Sequence, residues 1–109
     1  MNDTDPMYHR MQSEDRKAQM VAAGLMLAIK HGLPNVKRQD VADQIGIVRS
    51  LITHHFGEMD TLRKAIVDAA IAQKEYKVIG EAIVLGYSST HDLSEYTKNK
   101  ALRAIAANG

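Results

Sequence analysis

Four side chains stand out for what they could bind. Arg49, Ser50, Thr53 and His54 follow one another at helical spacing and lie along one edge if this stretch is a helix. Arginine can pair bidentately with guanine, and serine and threonine can hydrogen-bond a base or a phosphate. The threonine methyl also suits the methyl of thymine. His54 can meet either partner, and no acidic residue stands four positions from Arg49 to neutralise it. Upstream, Lys37, Arg38 and Gln39 form a second polar group suited to backbone phosphates, a contact that supplies affinity and register but reads no sequence.

Other chemistry finds little support. There is no Ser/His/Asp order, no paired-carboxylate site and no glycine-rich phosphate loop, so catalysis is not expected. His91 and Asp92 beside Ser88 and Ser89 read as a turn and a helix cap. With no cysteine, disulfides and thiolate metal sites are impossible. The histidines have no carboxylate or second histidine at ligand spacing on one face, so neither metal nor cofactor is expected. His54 and His55 would point about 100° apart on a helix. The six methionines read as surface, terminal or core filler.

These groups need a scaffold, and 109 residues make one small domain. Hydrophobic residues at 45% and charged residues at 25% describe a soluble globular chain. The net charge of +1 does not say where the basic groups lie. Residues 1–12 are polar and lack the pattern of an export signal. The apolar run 20–29 is about half of a membrane span. A cytoplasmic protein without a membrane partner is expected.

Alanine and leucine-type residues dominate and no alternating β-branched run occurs, so the fold class is all-α, a helical bundle. Residues 1–12 are expected to form a flexible arm. A first helix is expected over 14–31. Ser13 would be its N-cap, Lys30 and His31 its last turn, and Gly32 and Pro34 its stop. Ala18, Val21, Ala22, Leu25 and Ile29 mark one apolar face, widened by Met20, Leu27 and Ala28. That width suggests a central helix packed on most sides.

Two short helices, 38–45 and 48–55, meet at Gly46. A helix-turn-helix needs a small residue at the crossing, a turn residue tolerant of positive φ, and an apolar anchor on the second helix. Ala42, Gly46 and Ile52 supply these, with Val41, Ile45 and Ile47 completing the contact. A further amphipathic stretch follows Asp60 over 61–74 and resumes over 78–85, with charge at Lys74, Glu75 and Lys77 but no breaker. Asp92 and Glu95 suggest a capping box for a last helix over 93–106.

With its flanks included, the segment from Val21 to Leu62 resembles the N-terminal DNA-binding domain of TetR-family transcriptional repressors. The resemblance rests on Asp40-Val41-Ala42, Gly46, His55-Phe56-Gly57, Asp60 and Leu62. It implies that the second short helix enters the major groove of double-stranded DNA and that His55 sits near a phosphate. The amides opening the helix after Asp60 could face another phosphate. The sequence departs from the family where Val48 replaces a capping Ser or Thr and Thr53 a tyrosine. Met59 likewise replaces a phosphate-touching lysine, and Val36-Lys37 a Thr pair. Roughly 35 residues follow the motif region, too few for the family's inducer cavity. The layout resembles small phage and plasmid regulators whose occupancy is set by concentration or by a regulatory protein partner.

Helix-turn-helix units usually bind palindromes as two-fold pairs. The expected pairing surface comprises Tyr76, Ile79, Ile83, Tyr87, Leu102 and Ile105, within a dimerisation segment 75–109 that follows a DNA-binding segment 13–74. The leading expectation is a sequence-specific repressor acting as a homodimer on an inverted repeat. The alternatives are a non-specific or architectural DNA binder of a mobile element, or a protein–protein adaptor on the same fold.

Overall fold

The computed structural model describes residues 6–108. Among them are six α-helices and two single 3₁₀ turns, with no strand. The helices are α1 (Pro6–His31), α2 (Arg38–Ile45), α3 (Arg49–Phe56), α4 (Met59–Gln73), α5 (Tyr76–Leu85) and α6 (Glu95–Asn108).

The first helix starts earlier than its capping pattern suggests. Proline is favoured in the first turn, where its missing N–H costs nothing, and α1 opens at Pro6 and runs through Ser13. Of the segment expected as an arm, residues 1–5 lie outside the described residues and 6–12 are the opening turns of α1. The buried face of α1 is also rotated from the expected one. Met20, Ala23, Leu25 and Ala28 are buried, whereas Ala18, Ala22 and Ile29 are exposed. Close approach explains the shift. Gly24 faces α4, where an added Cβ would lie 2.9 Å from Ile66 Cγ1, so the helix turns its smallest residues toward its neighbour. Met26 remains half in solvent, so α1 is not wrapped on most sides.

The two short helices form a helix-turn-helix. Ala42 is fully buried where they meet. Gly46 ends α2 at φ 68° and ψ 39°, in the left-handed region that a residue with a Cβ enters at a cost. The Ile47 N–H then donates back to the Ala42 carbonyl at 3.0 Å, which closes the turn. Ile52 anchors α3 with 1% of its surface exposed. Burying such a side chain is worth roughly 1.5–3 kcal/mol, a large share for a two-turn helix that cannot stand alone.

The stretch from 61 onward is two helices, not one interrupted pattern. α4 ends at Gln73, Lys74 takes a left-handed conformation at φ 59°, and α5 starts at Tyr76. The break lets α5 fold back over α1 and α4, burying Val78, Ile79 and Ala82. α6 packs along α5 at Gly80, where a Cβ would overlap the Ala101 carbonyl and lie 2.9 Å from Ile105 Cγ2. The Lys100 ammonium lies 4.9 Å from the Tyr76 ring centre and 5.3 Å from that of Tyr96, a cation–π clip between the two helices. The cap of α6 is Ser94, whose Oγ accepts the Thr97 N–H at 3.1 Å, not the expected Asp92.

Candidate nucleic-acid interface

The edge of α3 is assembled by helix phase. Ile52 points into the core and Leu51 and Phe56 pack partly against it, so the residues between them turn outward. Arg49, Ser50, Thr53 and His54 are all exposed. Among the described residues none of the Arg49, Ser50 or Thr53 side chains has an intramolecular polar partner, so their donors are available to a ligand. Val48 precedes α3 in extended conformation and provides no side-chain cap, as expected where the family pattern has a hydroxyl. The opening turn of α3 therefore presents backbone amides beside Arg49.

His55 lies half-buried behind this edge. Its ring meets that of His54 edge-to-face, with centres 5.2 Å apart and planes at 77°. Burial holds the His55 pKa below the ordinary imidazole value, and the positive charges of His54, Lys17 and Arg16 push the same way. Arg16 and Lys17 belong to α1, which packs against α3. Neither was anticipated as a site residue. The signal that could have found them is their position as consecutive bases one turn before the buried Met20.

The second expected group is divided by the structure. Lys37 is exposed in extended backbone at the start of α2, without a side-chain partner among the described residues. Arg38 turns inward. Its Nη2 donates to the Gly57 carbonyl at 3.2 Å, so the guanidinium ties the start of α2 to the turn after α3. Its Nε is buried without a partner. Gln39 is exposed and its amide donates to Asp43 Oδ1 at 2.7 Å, one turn along α2. Of the three, Lys37 is the one with a free charge toward solvent.

The start of α4 is less inviting to a phosphate than its amides suggest. The helix opens at Met59 behind Glu58, and Asp60 sits inside the first turn rather than capping it. Two carboxylates favour the helix dipole but repel an anion. Asp60 is further engaged by Lys64 at 3.6 Å and by the Tyr87 hydroxyl at 3.4 Å.

The residues expected to pair two copies fall into three settings. Ile79 is fully buried in its own chain and so supports a surface from behind. Tyr76, Ile83, Tyr87 and Ile105 are half-buried, and Leu102 is 40% exposed. Val84 and Tyr96, each 68% exposed, were not singled out.

Among the described residues, no three His, Asp or Glu side chains gather as a metal site would require, and no helix is long and apolar enough to cross a membrane. No curated protein and no solved structure matches the chain. Residues 20–66 do match the family model for bacterial regulatory proteins of the tetR family. The matched stretch runs from the buried part of α1 to Ile66 on α4 and contains the whole helix-turn-helix, whose second helix is the one such units place in the major groove. With the small crossing residue, the left-handed turn and the outward polar edge all in place, residues 20–66 are a TetR-family N-terminal DNA-binding domain, and the chain is a DNA-binding transcription regulator.

Proposed function

We propose that the protein is a sequence-specific repressor that binds an inverted-repeat operator as a homodimer. The observation that carries this reading is the division of α3, with Ile52 buried beneath and Arg49, Ser50, Thr53 and His54 exposed above. Arg49 and Ser50, at the start of the helix, would meet base edges first, with Thr53 and His54 one turn deeper. Lys37 would hold a phosphate, while Arg38 and Gln39 would set the angle of α2 more than touch DNA.

A single unit of this size makes few contacts, which favours two copies on two half-sites. The surface proposed for pairing lies on α5 and α6 and comprises Tyr76, Ile83, Tyr87, Leu102 and Ile105, with Ile79 behind them. It is supported by the exposure of Leu102, Val84 and Tyr96 on these helices. A second copy would be related by a two-fold axis, placing the two α3 helices about 34–36 Å apart, one turn of duplex.

Selection of bound sequences from a random duplex pool tests the proposal. The expected product is a short inverted repeat whose half-sites are one helical turn apart. Enrichment of no sequence over the starting pool would overturn it, leaving a binder that follows the backbone alone.

A further inference from the structure

Between residues 30 and 83, Val48 is the one large apolar side chain among the described residues that stands mostly in solvent, at 64% exposure. The other exposed ones lie on α1 or on α5 and α6. Val48 sits at the corner where α3 begins, next to Arg49, and its exposure is not slack in the chain. Its carbonyl accepts the Leu51 N–H at 3.1 Å, and the preceding Ile47 N–H donates to the Ala42 carbonyl at 3.0 Å, so the backbone is held on both sides. The residue is extended, at φ −80° and ψ 143°, and branching at Cβ leaves the side chain few rotamers. The corner in front of it is bare, since a Cβ added at Gly46 would meet nothing within 4 Å beyond its chain neighbours.

We propose that Val48 reads a thymine in each operator half-site by packing its methyl groups against the thymine C5-methyl in the major groove. This rests on the reading of α3 as the DNA-facing helix. It goes beyond that reading by adding an apolar base reader outside the polar edge of Arg49, Ser50, Thr53 and His54.

The chemistry of the groove selects the base. Thymine alone of the four bases offers an apolar group on its major-groove edge, and the remaining positions there are hydrogen-bond donors and acceptors. A valine set against guanine, cytosine or a phosphate would take a polar group from water and return no hydrogen bond. Against the thymine methyl, two apolar surfaces leave water together. Residues at the N-terminal end of a reading helix are the ones that approach base edges, which puts Val48 beside the bases met by Arg49 and Ser50. Its fixed backbone and few rotamers leave little freedom to lose on binding. The side chain serves the fold in neither of the usual ways. It gives α3 no cap and is not packed against the core.

The test is a methyl scan of the selected duplex. The full chain is measured against that duplex and against versions in which each thymine in turn becomes deoxyuridine, which differs by the methyl alone. The expected result is a position in each half-site where uracil weakens binding about three- to tenfold, the effect of one buried methyl group. In Val48→Ala that position should become indifferent to the methyl, while the others respond as before. Thr53→Ser, which removes the threonine methyl from the same edge, should leave the Val48 position sensitive. Val48→Ala should melt with the unaltered chain, because the side chain is exposed and caps nothing. NMR contacts between Val48 methyl protons and a thymine methyl give a readout in the unaltered complex that needs no substitution.

A site in which no thymine responds to loss of its methyl, or a response that persists in Val48→Ala, would overturn the proposal while leaving DNA binding in place. So would the absence of any proton contact between Val48 and a thymine methyl. Equal weakening of every duplex by Val48→Ala would also overturn it, since Val48 would then face sugar and phosphate. Failure of the unaltered chain to retain any duplex would instead overturn the reading of α3 on which the proposal rests.

Discussion

The carboxylate of Glu81 on α5 accepts the backbone N–H of Leu33 at 3.1 Å, joining the C-terminal helices to the end of α1. One turn earlier Lys77 donates to the Ile29 carbonyl at 3.2 Å. Between them, these side chains satisfy both kinds of backbone group left open where α1 stops. Leu33 is fully buried, so removing its acceptor leaves its N–H without a protein partner in a partly covered place. Glu81→Ala should therefore lower stability by about 1–3 kcal/mol. Glu81→Gln, which keeps an oxygen, should lose less. Urea unfolding of the two variants checks this, and equal midpoints would contradict the assigned role.

Arg38 and Lys37 should separate cleanly under mutation. Arg38 bridges α2 to the Gly57 carbonyl, so Arg38→Gln is expected to lower the melting temperature as well as DNA affinity. Lys37 is exposed with no internal partner, so Lys37→Ala should leave melting unchanged and reduce the salt slope of binding by about one. A melting temperature indifferent to Arg38→Gln would return that residue to a pure phosphate role.

Two left-handed joints should respond oppositely to substitution. Gly57 sits at φ 69° and ψ −110°, a conformation side chains avoid, so Gly57→Ala should cost of order 1–3 kcal/mol. Lys74 occupies φ 59° despite its side chain, so Lys74→Gly should stabilise the protein by about 1 kcal/mol. Thermal unfolding of the pair decides. Destabilisation by Lys74→Gly would mean that the lysine side chain contributes more than its backbone strain costs.

Tyr87 carries a pH signature at the joint after α5. Burial raises its phenol pKa above the ordinary value of 10.0, and the negative charge of Asp60 and their hydrogen bond add to the rise, with Arg63 opposing. The folded protein therefore binds this proton more tightly than the unfolded chain. The resulting stability is fully present below pH 10 and is lost as pH rises through the folded value. Phenolate absorbance should show a late step that Tyr87→Phe removes. A titration curve unchanged in its final step would contradict the Asp60 contact.

The helix-turn-helix was legible because its requirements are local. Ala42, Gly46 and Ile52 each answer a steric demand that acts within ten residues, and all three occupy the positions their types imply. The features that escaped depend on contacts distant in sequence. The buried face of α1 follows from Gly24 meeting Ile66, and nothing in the periodicity around Ala18 and Ala22 reveals that neighbour. The break at Lys74 uses a left-handed residue that is not glycine, so the usual stop signal was missing. Arg38 looked like a phosphate ligand by type, but the turn at Gly57 brings a carbonyl within its reach. Ile79 belonged to an apolar run whose inner and outer members could be told apart only once α5 lay on the bundle.

The affinity of Arg49→Ala for the selected duplex, set beside that of the unaltered chain, bears most directly on how α3 meets DNA. Arg49 at the exposed start of α3 should contribute roughly 1–3 kcal/mol to the cognate site, so the variant is expected to bind about ten- to a hundredfold more weakly and to lose discrimination at one base pair. Binding of equal strength and equal selectivity in both proteins would show that this edge does not read the duplex.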